Sequence, residues 1–533
     1  MNMKNRLTSF LLIAIIVLAA GLRLYKLDSV PPALSWDEAA FGVNAYYLAN
    51  YGRDEYGKFL PMYFRSFGDD KHPVHIYITS LFVKMLGLTE FSVRLPSALF
   101  GIFSVLLIFF LAKLLFKSEL VGLISSLFLA ISPYNIHFSR FNHEANFTLF
   151  FFLLALLLFF LSFNKRGYLL PFSVLSFGIT YLSYHSSKVV VPVIVLILLA
   201  FYFKKLLQNK KGLIVTIFVS LLFVLIIIVN PQLLGLARAS QNSLDDGEIE
   251  KTALYQSTDN KLLGRLNLIF NQYTWHFDPQ FLFIQGDKNH RLSSQTGQFY
   301  KIDAILLILG VVYLIYRRSR VSLLLIIWAL IAPLPSSLVK EAPHAARASF
   351  MMGSWHLVSA LGFYLIISLV RKPIFRWGAV IITLAILTSF LINYLKFYYT
   401  EYAKRYAIEW QYGMKQIVEY IGDHPEYNQV YMTDVRHQPY IFFLFYLKTP
   451  LPDYLNTVYF NRSESSVSYN LVSFYDKYFF GGWDVVESMP NSGVLYIVTP
   501  SEYDGLHYKK EFSVKKLINY PDGTSAFYLV SKD

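Results

Sequence analysis

The chain has 533 residues, of which 55% are hydrophobic and 17% aromatic, and its mean hydropathy of +0.42 excludes an ordinary soluble globular protein. Its net charge of +13 does not mark a nucleic-acid binder, because the basic residues cluster between apolar runs instead of along one polar face. Cysteine is absent, which excludes disulfides and thiolate metal sites.

Apolar runs long enough to cross a bilayer begin at residue 7 and stop near residue 397. The first resembles a signal peptide, but its length and the poor cleavage context Gly21-Leu22-Arg23 predict a retained helix. Basic clusters at Lys4/Arg6, Lys113/Lys117, Lys165/Arg166, Lys204/Lys205/Lys210/Lys211, Arg317/Arg318/Arg320 and Arg371/Lys372/Arg376 should all be cytoplasmic. Successive clusters must then be separated by an even number of crossings. Spans at 7–24, 93–115, 119–135, 145–163, 168–184, 188–203, 213–230, 302–316, 321–335, 350–370 and 377–397 satisfy that condition, about eleven in all. The short apolar stretch 74–88 contains Lys84 and would invert everything downstream if it crossed, so it is expected to be a juxtamembrane or re-entrant helix.

The expected fold class is therefore an α-helical polytopic membrane protein with juxtamembrane helices and a small C-terminal α/β domain. The membrane domain is expected over 1–397 and the soluble, extracytoplasmic domain over 398–533. Within the tail, 402–422 has helical spacing, whereas 430–432, 494–498 and 526–530 read as strands. A cap over the membrane domain or an acceptor-binding module suits that composition. The charge map puts 25–92, 136–144, 185–187, 231–301, 336–349 and the tail on the extracytoplasmic face, in an integral plasma-membrane protein.

The unusual chemistry falls in those segments. In the first, Ser35 and Asp37 are good N-cap types ahead of an amphipathic helix over 38–48 expected to lie along the interface. An acidic first turn complementing the helix dipole explains both Asp37 and Glu38 without any function. Asp69-Asp70-Lys71-His72-Pro73 and His75 add acids and cations to the same segment. A carboxylate there can take a proton from an acceptor hydroxyl, while Lys71 and His72 stabilise a departing phosphate.

The second segment gathers Arg140, two histidines and Glu144 where ionisable groups are costly. Arg140 and Glu144 stand four apart, so a structural pair is the alternative to a phosphate-facing cation and a functional acid. In the long segment, aromatics alternate with polar residues from Trp275 to Asp287. This pattern suits a lid on the membrane surface with His276, Asp287 or Arg291 turned toward a ligand, or a loop folded under the tail. Finally, Lys340-Glu341-Ala342-Pro343-His344-Ala345-Ala346-Arg347 offers cations for a phosphate, with snorkelling as the alternative for Lys340.

Asp37-Glu38, Lys71-His72-Pro73, Phe91-Ser92-Val93-Arg94-Leu95-Pro96-Ser97 and Pro343-His344-Ala345-Ala346-Arg347 together resemble the type C glycosyltransferases. The branch is that of protein O-mannosyltransferases and the lipid A aminoarabinose transferase, and the resemblance spans about residues 5–395. It implies an inverting sugar transfer from a polyprenyl-phosphate carrier to an acceptor on protein, lipid or polysaccharide. It further implies Asp37 as base supported by Glu38, Lys71 and His72 near the donor phosphate, and His344 and Arg347 near the carrier phosphate. Glu144 matches the acid that opens the helix after the second loop, although many relatives have Asp there. Relatives differ in whether they need a divalent metal, so a metal is possible and its ligands are unknown from sequence.

Two other classes fit parts of the pattern. A transporter or flippase of phosphate-linked lipids would carry ionisable residues along a path through the helices, whereas here they gather at one face and no internal duplication is evident. A non-catalytic partner of a glycosylation system would keep the fold, and the intact acid and cation set argues against it.

Overall fold

The computed structural model describes residues 3–532 apart from 68, 165, 236–239, 462–470 and 483–490, and excludes the side chains of 3, 4, 69 and 70. Lys4, Lys165, Asp69 and Asp70 of the sequence reading thus lie outside the described side chains. Two compact units emerge, one of residues 1–25 and 97–396, the other of 26–96 and 397–533. The first loop falls in the same unit as the tail. The reason is a shared core: Phe41, Val43 and Tyr47 from the loop pack into one buried cluster with Tyr440, Phe443 and Phe445 from the tail.

The first unit is helical. Eight helices in the described residues are long and apolar enough to cross a membrane: Asn5–Leu24, Glu90–Phe116, Glu144–Ser162, Ser187–Leu207, Lys210–Val229, Arg320–Ser337, Met351–Leu369 and Pro373–Arg405. The other three expected spans form shorter helices, Glu119–Ile131 of 13 residues, Leu170–Tyr181 of 12 and Asp303–Arg317 of 15. Two of these contacts need glycine. A Cβ at Gly310 would sit 2.0 Å from the Val358 carbonyl oxygen and one at Gly362 would sit 1.9 Å from that of Leu306, so Asp303–Arg317 and Met351–Leu369 approach backbone to backbone.

The second unit is built on a seven-stranded sheet. Its strands follow a short hairpin of β1 (Phe64–Ser66) and β2 (Asp69–Lys71). They are β3 (Gln429–Thr433), β4 (Tyr459–Phe460), β5 (Val472–Tyr475), β6 (Tyr478–Gly481), β7 (Val494–Val498), β8 (Phe512–Asn519) and β9 (Ser525–Lys532). The order is β4-β5-β6-β3-β7-β9-β8, with β3 parallel to both neighbours and the remaining pairs antiparallel. The three strands expected from sequence are β3, β7 and β9. The expected helix over 402–422 is interrupted, because Gln411 and Gly413 take positive φ, and only Met414–Asp423 continues as a regular helix.

Helix Trp36–Tyr51 is a correction to the surface helix expected over 38–48. Ten of its 16 residues are buried, on every side, against Pro73–Leu86 and Pro439–Leu447. Its close packing depends on Gly42, where a Cβ would come within 2.5 Å of the Phe445 ring and 2.9 Å of Val93.

Candidate active site

In the second unit, Ser35 caps helix Trp36–Tyr51 in a reciprocal capping box with Glu38. This places Asp37 and Glu38 on the same first turn but points them to different partners. Glu38 is fully buried and takes two bonds from Arg94, Nε to Oε1 at 2.9 Å and Nη2 to Oε2 at 3.0 Å. Arg94 also donates to the carbonyl oxygens of Leu27, Pro31 and Ala33, drawing the loop before the helix onto its start. Glu38, expected to support catalysis, is thereby part of the scaffold under Asp37.

Asp37 is the more open of the two, with 31% of its side chain exposed, and its Oδ1 lies 3.2 Å from Lys71 Nζ. The hairpin does the positioning: β2 ends at Lys71, His72 is the N-cap, and Pro73 opens helix Pro73–Leu86. His72 and His75 are buried, and the His75 ring meets Phe41 edge to face at 4.4 Å. The Asp37 carboxylate thus carries an ammonium on one oxygen and stays partly open to an incoming hydroxyl.

The first unit holds a second polar cluster. The Asp287 carboxylate accepts the Ala345 N–H at 2.5 Å, Tyr134 donates its hydroxyl to the Ala345 carbonyl, and His276 Nε2 accepts the His344 N–H at 3.4 Å. His276 Nδ1–H bonds the Gln272 carbonyl at 2.8 Å, fixing one tautomer, and burial pulls its pKa down to about 4. Burial raises the Asp287 pKa to about 6 against the opposing effect of the Ala345 and Asn289 N–H groups and Arg347. Arg347 donates to the Lys340 carbonyl at 2.6 Å and lies 3.4 Å from Glu341, whose side chain is 67% exposed. The 340–347 loop is thus held on its inner side, with the Arg347 side chain only 14% exposed.

His137 Nε2 donates to the Arg291 carbonyl at 2.9 Å, which ties the segment bearing Arg140 and Glu144 to the long loop. Glu144 does open helix Glu144–Ser162, nearly buried, 3.6 Å from His143. Arg140, expected to face phosphate, is instead buried and donates to the carbonyl oxygens of Leu22, Arg23 and Tyr25. Those carbonyls lie at the end of the first helix, where no further helical turn supplies donors, so Arg140 fastens that helix. Arg23 does likewise, bonding Leu129, Ala130 and Asn135. Sequence reasoning missed Arg23 and Arg94 as scaffold groups, although an arginine beside or inside an apolar span signals a buried partner.

Among the described residues no group of three or more His, Asp or Glu is arranged to hold a metal ion.

Residues 70–229 match the family model described as dolichyl-phosphate-mannose-protein mannosyltransferase. The fold is similar to that of ArnT from Cupriavidus metallidurans bound to undecaprenyl phosphate, at 12% identity and a TM-score of 0.56, over 97% of each chain. It is also similar to the oligosaccharyltransferase AglB from Archaeoglobus fulgidus in complex with an inhibitory peptide and a dolichol-phosphate. That likeness has 15% identity and a TM-score of 0.53 and covers 99% of this chain and 74% of AglB. No curated protein matches the sequence. By its eight long apolar helices the chain is a multi-pass membrane protein, and its fold is similar to those of ArnT and AglB.

Proposed function

We propose that this protein transfers a sugar from a polyprenyl-phosphate carrier to an acceptor hydroxyl outside the cytoplasm, with inversion at the anomeric carbon. The observation that carries the reading is the Asp37–Lys71 pair at 3.2 Å, set on a rigid helix start by the buried Glu38 and Arg94. Asp37 accepts the proton of the acceptor hydroxyl as its oxygen attacks the anomeric carbon. The bond to the carrier phosphate breaks in the same displacement, and the phosphate leaves as an anion. Lys71 supplies positive charge for that anion, and His72 stands beside Lys71 at the helix N-cap. In the helical unit, anion binding by His344 and Arg347 is a separate proposal, supported by their standing together on one loop, where the Arg347 N–H bonds His344 Nδ1 at 3.4 Å.

The test is Asp37→Asn in purified protein, assayed with a panel of polyprenyl-phosphate sugars and mass spectrometry of the products. Transfer should be lost while insertion and thermal stability are kept. A well-folded variant with full transfer would remove Asp37 as base. Failure of the unaltered protein with every donor would favour the transporter or partner readings.

A further inference from the structure

We propose that helix Lys261–Trp275 is seated in the membrane–water interface and braces the 340–347 loop from there. Its residues fall on three arcs. Gly264, Leu268 and Gln272 are buried, with Leu268 in a small cluster beside Leu244 and Ile249. Gly264 permits that contact, since a Cβ there would lie 2.8 Å from Tyr255 Cβ and 2.9 Å from Ile249 Cγ2. Asn267, Asn271 and Thr274 form a polar arc. Between them runs an apolar stripe at four-residue spacing, with Leu262 65%, Leu266 53% and Phe270 64% exposed.

Three large apolar side chains in line on a surface mark an interaction site, and three features identify the bilayer as the occupant. The stripe is continuous with surface that already faces lipid. Tyr273 donates its hydroxyl at 2.8 Å to the carbonyl of Leu330, which lies in the apolar helix Arg320–Ser337 and whose own side chain is 49% exposed. With its amide nitrogen turned toward them, Gln272 also reaches the carbonyl oxygens of Ser337 at 3.0 Å and Val339 at 2.8 Å, fastening the helix to the end of that span. The exposed Arg265 and the 43% exposed Trp275 supply the cation and indole that favour headgroup depth.

The consequence for the site follows from chain order. His276 is the C-cap of this helix and accepts the His344 N–H, so the depth of the helix in the interface sets the position of the loop that carries Arg347. The lipid seat stands without the donor chemistry proposed above; only its effect on donor use rests on that reading.

Because the chain has no cysteine, single replacements Leu262→Cys, Leu266→Cys, Phe270→Cys, Asn267→Cys and Thr274→Cys can each carry a nitroxide. The full chain is placed in nanodiscs of phosphatidylethanolamine and phosphatidylglycerol, and collision with oxygen is compared with that of a water-soluble nickel complex. Labels at 262, 266 and 270 should favour oxygen, at ~5–10 Å below the phosphate level, and those at 267 and 274 should favour nickel. Nickel-dominated collision at 262, 266 and 270 would overturn the proposal, as would protection from both reagents, which would indicate a protein partner. The readout needs no turnover, so an inactive Asp37 hypothesis and a failed lipid seat are told apart.

Discussion

Glu38 and Arg94 form a fully buried, doubly bonded ion pair, while Asp37, one residue away, meets Lys71 with a third of its side chain exposed. Adjacent positions on a helix point about 100° apart, and that rotation divides scaffold from chemistry. Removing one member of a buried pair strands the other charge, which costs about 3–5 kcal/mol. Glu38→Ala and Arg94→Ala should each lower thermal stability sharply, with a coupling visible in the double variant. Asp37→Asn should leave stability nearly unchanged. Equal melting behaviour for Asp37→Asn and Glu38→Ala in detergent would contradict this division.

Glu55 predicts that the second unit weakens as pH rises from the ordinary carboxylate value toward about 8. Its carboxyl is fully buried and 3.4 Å from both Asn44 Nδ2 and the Tyr440 hydroxyl, and burial raises its pKa to about 8. A raised folded pKa gives stability that is complete below the unfolded value and is lost as pH rises through about 8. Stability should therefore fall by on the order of 1 kcal/mol per pH unit over that window. Glu55→Gln, neutral throughout, should flatten the pH dependence in thermal unfolding; an unchanged slope would refute the assignment.

The backbone contact of Gly310 and Gly362 predicts opposite outcomes for two similar substitutions. Gly362→Ala forces its Cβ against the Leu306 carbonyl and should destabilise by about 1–3 kcal/mol. Gly378 has nothing within 4 Å of its ideal Cβ, so Gly378→Ala should be neutral or stabilise by up to about 1 kcal/mol through helix propensity. Thermal unfolding of both variants in the same detergent decides the matter.

Arg347 is held by its own loop through Lys340 and Glu341, so Arg347→Ala should fold normally. If it grips the carrier phosphate, the donor concentration for half-maximal transfer should rise about tenfold, equivalent to ~1.4 kcal/mol, with a smaller change in maximal rate. An unchanged donor response would remove that role.

The membrane class, eight of the eleven expected spans and strands β3, β7 and β9 were legible in the sequence, and Asp37 and Lys71 stood out there as candidates. Each rests on local information: run length, alternation, or a charge where an apolar chain should have none. Pairing was not legible, because a charge in sequence does not name its partner at a separation of 56 positions, that of Glu38 and Arg94. Tertiary structure decided that Arg140 fastens the first helix, that Trp36–Tyr51 is buried all round, and that the first loop shares a core with a tail some 400 residues away, as in the bond from Tyr47 to the Thr449 carbonyl. Hydrophobic period identifies which residues must leave water; only the assembled chain supplies the surface that covers them.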